Sequence, residues 1–223
     1  IDDILKVSKD SRKLHFAGFL SHFGHTYHAK NKEEITLIYN DSIHKLSRLK
    51  EKYIADYPGL IISVGDTPSC SILDDLSGAD EIRPGNFVFY DLMQYHLGSC
   101  SFDQIAVCMA CPLVAIHPDR NEIIIHGGAV HFSKEQILIN ETKIFGQVVL
   151  FTNKGWKLPE GNYYLTKLSQ EHGTINADEK MISQLKIGDL LGIIPVHSCL
   201  TANLMKGYYT TDNEWIDHLS GSI

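Results

Sequence analysis

Leu60-Ile61-Ile62-Ser63-Val64 runs directly into Gly65-Asp66-Thr67-Pro68-Ser69. Five residues that are apolar except for one serine, with no polar alternation, fit a strand buried on both faces, as in a parallel sheet. The Gly-Asp-Thr-Pro segment then breaks the chain, and a short helix is expected after it. Upstream, Leu14-His15-Phe16-Ala17-Gly18-Phe19-Leu20 reads as an earlier strand, also buried on both faces, and residues 1–12 as the end of an amphipathic helix. Between these strands, residues 31–57 space Ile35, Ile38, Ile43, Leu46, Leu49 and Ile54 at gaps of three to five among charges, which predicts one long surface helix or two in tandem. Downstream, residues 80–90 begin a third strand. Strands alternating with helices at this spacing make parallel βα units.

From about residue 104 the texture changes. Residues 106–116, 122–125, 136–139, 147–151 and 189–194 are strand-like runs split by Pro-Asp, Gly-Gly and Asn-Glu turns, and only residues 177–185 look helical. The expected organisation is therefore α/β plus β: a βα domain over 1–102 and a β-rich domain over 103–223.

The chain is 43% hydrophobic and 21% charged, with a net charge of -7. It has no apolar run of about 18 residues, so no membrane partner is expected. It has no cluster of Lys and Arg, so no nucleic-acid partner is expected either. Its five cysteines are odd in number and no secretory signal precedes them, which fits reduced thiols in a cytoplasmic protein. Cys108-Met109-Ala110-Cys111 has CxxC spacing but lies in an apolar run, where packing is the expected role. The chain opens on Ile1 rather than methionine and is expected to start within a domain.

Four places carry candidate chemistry. Ser21-His22-Phe23-Gly24-His25-Thr26-Tyr27-His28 sets three imidazoles beyond the first strand, where active sites of parallel α/β folds gather. They can stack, accept a proton or ligate; the plain alternative is a histidine-rich surface loop. Gly65 to Ser69 offers backbone N–H groups and hydroxyls that suit a phosphate at a helix start, or an ordinary turn. Arg83-Pro84-Gly85-Asn86 puts a guanidinium at a strand end and a glycine where a ligand can approach the backbone. Pro195-Val196-His197-Ser198-Cys199 closes an apolar run. On an extended backbone its imidazole and thiol point the same way and can grip one borderline metal ion, or simply pack.

Taken in order, Ser63 to Pro68, Glu81-Ile82-Arg83-Pro84-Gly85-Asn86-Phe87-Val88-Phe89-Tyr90-Asp91, Ser169-Gln170-Glu171-His172-Gly173, Ile187-Gly188-Asp189 and His197-Ser198-Cys199 resemble the D-threonine aldolase and D-serine dehydratase family. The resemblance runs from Leu14 to about Met205 and would align with the carboxyl-terminal portion of a full-length member. It implies the fold type III architecture of alanine racemase: here the carboxyl-terminal part of a (β/α)8, TIM-type barrel that binds pyridoxal 5'-phosphate, followed by a β-rich domain. It implies a cofactor site made of His22 beside the ring, Arg83 facing the pyridine nitrogen, and Gly65, Asp66, Thr67, Gly85 and Asn86 around the phosphate, with Tyr90 in the same segment. His28, or His25, is implied as the catalytic base, and His197 with Cys199 as the pair holding Zn2+. The related aldolases carry His-x-Asp instead, and a thiolate favours zinc over manganese or magnesium.

The implied activity is zinc-assisted elimination from D-β-hydroxy amino acids, giving a 2-keto acid and ammonia. Retro-aldol cleavage, racemisation and a non-catalytic cofactor-binding module are the alternatives. The family's cofactor-binding lysine lies near the end of the first barrel strand, and no lysine here matches it: Lys30, Lys134 and Lys154 fall in loops or turns. A missing amino-terminal barrel half and a homodimer are accordingly expected. The tail over 214–223 fits the family poorly.

Overall fold

The computed structural model describes residues 1–218, so the last five residues of that tail lie outside the described residues. The chain divides into two compact units, Ile1–Phe87 with His96–Cys100, and Val88–Tyr95 with the residues from Ser101 onward.

The first unit contains α1 (Asp2–Asp10), β1 (Gly18–Ser21), α2 (Lys32–Tyr53), β2 (Ile61–Val64), α3 (Thr67–Ile72) and β3 (Glu81–Ile82). The strands form a parallel sheet in the order β1-β2-β3, with Ser21 opposite Val64 and Val64 opposite Ile82. α2 is one helix. Asn31 caps it by accepting the Glu34 N–H at 2.8 Å, and its apolar stripe buries Ile35 and Tyr39. Phe23, Tyr39, Ile62 and Val64 make one small core; Leu5, Tyr53 and Leu60 make another.

Two expectations need correction here. The first strand is four residues and starts at Gly18, and it is not buried on both faces: Leu20 is 69% exposed, because β1 is an edge strand with a single neighbour among the described residues. The third strand is only Glu81–Ile82 rather than a run toward residue 90. Pro84 has no N–H for the ladder, and the chain turns into a 3-10 segment at Asn86–Val88.

α4 (Leu92–Leu97) begins within the second unit, which continues through β4 (Met109–His117), β5 (Glu122–His126), α5 (Ala129–Phe132), β6 (Ile137–Ile139), β7 (Thr142–Ile144) and β8 (Gly146–Thr152). Then come β9 (Gly155–Lys157), β10 (Tyr164–Leu168), β11 (His172–Asn176), α6 (Glu179–Ile182), β12 (Leu190–Pro195), α7 (Ser198–Leu204), β13 (Gly207–Tyr209) and β14 (Trp215–Asp217). The antiparallel order β10-β11-β5-β4-β12-β8 is closed by pairing of β8 with β10, giving a six-stranded barrel extended by β9. Closure removes the free edges that an open sheet would carry. Inward residues Leu113, Ile123, Ile125, Val148, Leu165, Ile175, Leu191 and Ile193 fill its core, each stabilising by about 1.5–3 kcal/mol through burial.

The expected strand over 136–139 is β6, which among the described residues pairs with β7 alone, in a separate hairpin. β10 and β11 were not expected, since β10 carries one buried residue and β11 two, among polar ones. α5 and α7 correct the expectation of a single helix; four and seven residues are too few for a 3.6-residue period to stand out. Among the described residues no helix is long and apolar enough to cross a membrane.

Candidate active site

In the first unit, the register of the parallel sheet brings the carboxyl ends of its three strands side by side. Gly65 N–H donates to the Ser21 carbonyl at 3.2 Å and Arg83 N–H to the Val64 carbonyl at 2.7 Å, so His22, Gly65 and Arg83 leave adjoining strands together. Gly65 is required there: a Cβ would sit 2.5 Å from the Arg83 carbonyl oxygen. The Arg83 side chain folds back over the strand ends. Its Nε donates to Ser63 Oγ at 2.6 Å and lies 3.4 Å from Glu81 Oε1, while Nη2 reaches the carbonyls of Ser63 at 3.3 Å and Ser21 at 3.4 Å. The guanidinium is thereby fixed at two of its nitrogens.

His22 Nδ1 bonds to the Gly65 carbonyl, which can only accept, so Nδ1 is the donor. Its ring lies 5.7 Å from that of Tyr27. Gly24–His28 forms a 3-10 turn. Three residues per turn place His25 and His28 on one face, and both are exposed. Thr26 faces inward instead and donates to Asp66 Oδ2 at 2.9 Å. That same oxygen accepts the Ser69 N–H at 2.9 Å and caps α3, which ties the histidine turn to the Gly-Asp-Thr loop.

Thr67 Oγ1 accepts the Asn86 N–H at 3.1 Å and so joins that loop to the Arg83–Asn86 turn. Ser69 Oγ is buried without a partner, and a Cβ added to Gly85 would meet nothing within 4 Å. An open cradle with an uncommitted hydroxyl at a helix start fits a phosphate.

In the second unit, His197 and Cys199 do not sit on a strand. β12 ends at Pro195, His197 is the N-cap of α7 with φ −132° and ψ 100°, and Cys199 is the second helical residue. The expectation of two side chains aligned on extended backbone is thus corrected at Cys199. His197 makes no capping bond with its side chain. Asp91 serves instead, accepting the Ser198 N–H on Oδ2 at 3.0 Å and the Gln94 N–H on Oδ1 at 2.9 Å. Burial, aided by the Asp91 charge, pushes the half-buried Cys199 thiol up. Among the described residues no group of three or more His, Cys, Asp or Glu can hold a metal. Imidazole and thiol are donor types suited to zinc. Tyr90, also in this unit, has a left-handed backbone at φ 50°.

Sequence reasoning missed two things in this unit. One is Asp91, which stands in a quoted motif without a role. The other is a histidine cluster: the rings of His131 and His172 lie 5.0 Å and 5.8 Å from that of His126. His131 Nδ1 accepts the Gly128 N–H at 3.0 Å, and the Ala129 and Val130 N–H groups donate to the Ser169 and Gln170 carbonyls at 2.9 and 3.1 Å. The Ser169–Gly173 motif is thus the turn on which α5 docks. Cys111 lies within the barrel core, and burial pushes both Cys108 and Cys111 up to about 12, so these thiols stay protonated.

Residues 106–211 match the family model described as "Putative serine dehydratase domain". A D-serine dehydratase of Dictyostelium discoideum is 32% identical over 207 residues, covering 89% of this chain and 51% of that protein. D-threo-3-hydroxyaspartate dehydratase of Delftia sp. HT23 is 25% identical over 218 residues, covering 93% of this chain and 57% of the relative. Its solved structure superposes with a TM-score of 0.80 over 92% of this chain and 55% of that one. D-threonine aldolase from Filomicrobium marinum, 20% identical, has a TM-score of 0.67 over 93% of this chain and 53% of that one. The chain spans about half the length of the curated relatives it matches.

Proposed function

We propose that the chain belongs, through its barrel-bearing unit, to the serine dehydratase domain family, and that the protein of which it is part is a pyridoxal-phosphate lyase acting on small D-β-hydroxy amino acids. It removes the β-hydroxyl and the α-proton and releases a 2-keto acid and ammonia. The reading treats β1–β3 as strands of a TIM-type barrel completed outside this chain, which would also supply the cofactor-binding lysine. The observation that carries it is the convergence of His22, Gly65 and Arg83 at adjoining strand ends.

Pyridoxal phosphate, when bound, supplies an electron sink for the α-carbon, and zinc supplies a Lewis acid for the leaving hydroxyl. This chain's residues do the rest. The Gly65–Thr67 loop, Gly85, Asn86 and the Ser69 hydroxyl would hold the phosphate through oriented dipoles rather than lysines. Arg83 presents a fixed positive charge, which disfavours a proton on a facing pyridine nitrogen. His22 is oriented by its bond to the Gly65 carbonyl and would lie beside the cofactor ring. His28 and His25 share an exposed face and offer imidazole nitrogens as proton acceptors. His197 and Cys199 would hold the zinc. The thiol must lose its proton to do so, so metal binding strengthens as pH rises.

The test is carried out on the full-length protein. A cofactor absorbance band, loss of D-serine turnover on chelation, recovery with zinc, and zinc content lowered in Cys199→Ala are expected. Equal zinc in wild type and Cys199→Ala sinks the metal assignment; absence of the cofactor band sinks the enzyme reading altogether.

A further inference from the structure

Asp91 is 1% exposed, and each of its oxygens is used at a different helix start. Oδ1 takes the Gln94 N–H at the start of α4; Oδ2 takes the Ser198 N–H at 3.0 Å and the Ser198 hydroxyl at 3.4 Å at the start of α7. Two residues after Asp91, Met93 N–H donates to the Val196 carbonyl at 3.3 Å. The turn from Val196 to Cys199 is therefore fastened on both sides of His197 to the segment Asp91–Met93. A helix start is ordinarily capped by its own N-cap side chain. Here the N-cap is His197, which makes no such bond, and a carboxylate 107 residues before Ser198 takes over, leaving the imidazole uncommitted to the helix.

We infer that Asp91 is the positioning residue of the His197–Cys199 pair, setting the backbone turn from which both donors project. The inference rests on the zinc reading of that pair. The residue type follows from the geometry. Two helix starts present two N–H donors with partial positive charge, and a carboxylate answers both with acceptors and a negative charge. Asparagine has one acceptor oxygen, so its NH2 would face one of the two N–H groups. Outer partners of this kind orient metal donors and raise the affinity of the site.

The test uses the full-length protein stripped of metal and titrated with Co2+ against a competing chelator, with the thiolate-to-cobalt charge-transfer band reporting ligation by Cys199. Asp91→Asn is expected to lower Co2+ affinity by about 10–100-fold and to shift or abolish the band, with the circular dichroism unchanged. Should Asp91→Asn not fold, Ser198→Pro decides. It deletes the N–H that Asp91 accepts at the first helical position, where proline is tolerated, and the same loss of affinity is expected. Asp178, which caps α6 by accepting the Met181 N–H at 2.9 Å, is the control. Asp178→Asn should lower thermal stability and leave Co2+ binding unchanged. Wild-type affinity and band in the folded Asp91 or Ser198 variant overturn the inference, as does an equal loss in Asp178→Asn. A wild-type protein that binds Co2+ without the thiolate band overturns instead the zinc reading beneath it.

Discussion

Gly65 and Gly85 both stand in loops at strand ends, yet their surroundings differ. A Cβ on Gly65 would strike the Arg83 backbone, whereas one on Gly85 would enter open space. Gly65→Ala should therefore destabilise the fold. Gly85→Ala should leave the thermal midpoint nearly unchanged, a shift of about 0.5 kcal/mol or less, while lowering retention of pyridoxal phosphate at least about tenfold if the cradle holds its phosphate. Melting curves and the cofactor absorbance of the dialysed protein report the two effects separately; full cofactor retention in Gly85→Ala removes that turn from the site. Both glycines could be named from sequence, because Gly beside Asp, Thr or Asn in a loop suits an anion. Their difference could not, since it depends on which backbone lies opposite. Asp91 was hidden for the same reason: its second partner is Ser198, far along the chain, and an Asp before a helix reads only as a local cap.

The docking of α5 on the Ser169–Gly173 turn depends on a neutral histidine. His131 Nδ1 must accept the Gly128 N–H; burial and the neighbouring His126 lower its pKa below the ordinary 6.5, with Glu171 opposing. Below that ordinary value the unfolded chain binds the proton more readily than the folded one. The stabilisation is thus complete above about 6.5 and is lost as pH falls through the lowered folded value. Hydrogen exchange at Gly128, Ala129 and Val130, corrected for intrinsic rates, should speed up between pH 7 and 5 in wild type. In His131→Gln it should show little added pH dependence. Unchanged protection in wild type across this range would remove the neutral imidazole from the lock. Among the elements, α2 was plain in the sequence because its 22 residues carry one apolar stripe, and β2 because three of its four residues are apolar. β10 and β11 were not, being polar at most positions, and neither were α5 and α7, being short.

The closed barrel of the second unit joins strands whose pairing no local pattern encodes. Leu165 sits where closure occurs, opposite Ile175 on β11 and Gly146 on β8, and is fully buried. Leu165→Ala should cost about 2–5 kcal/mol in urea unfolding, because it leaves a cavity where both pairings meet. A loss under about 1 kcal/mol would mean that closure is not held there. The β-rich texture was evident from the alternation of apolar runs and turns, but strand order and closure were not. In the first unit the parallel βα arrangement was evident from strand, turn and helix in succession, and it locates the strand-end residues on which the functional reading depends. That reading stands or falls on products. The full-length protein, loaded with pyridoxal phosphate and zinc, should convert D-serine to pyruvate and ammonia in equal amounts, with no free aldehyde released. Glycine and an aldehyde from D-threonine without keto acid from D-serine, or racemised serine alone, would refute the dehydratase assignment.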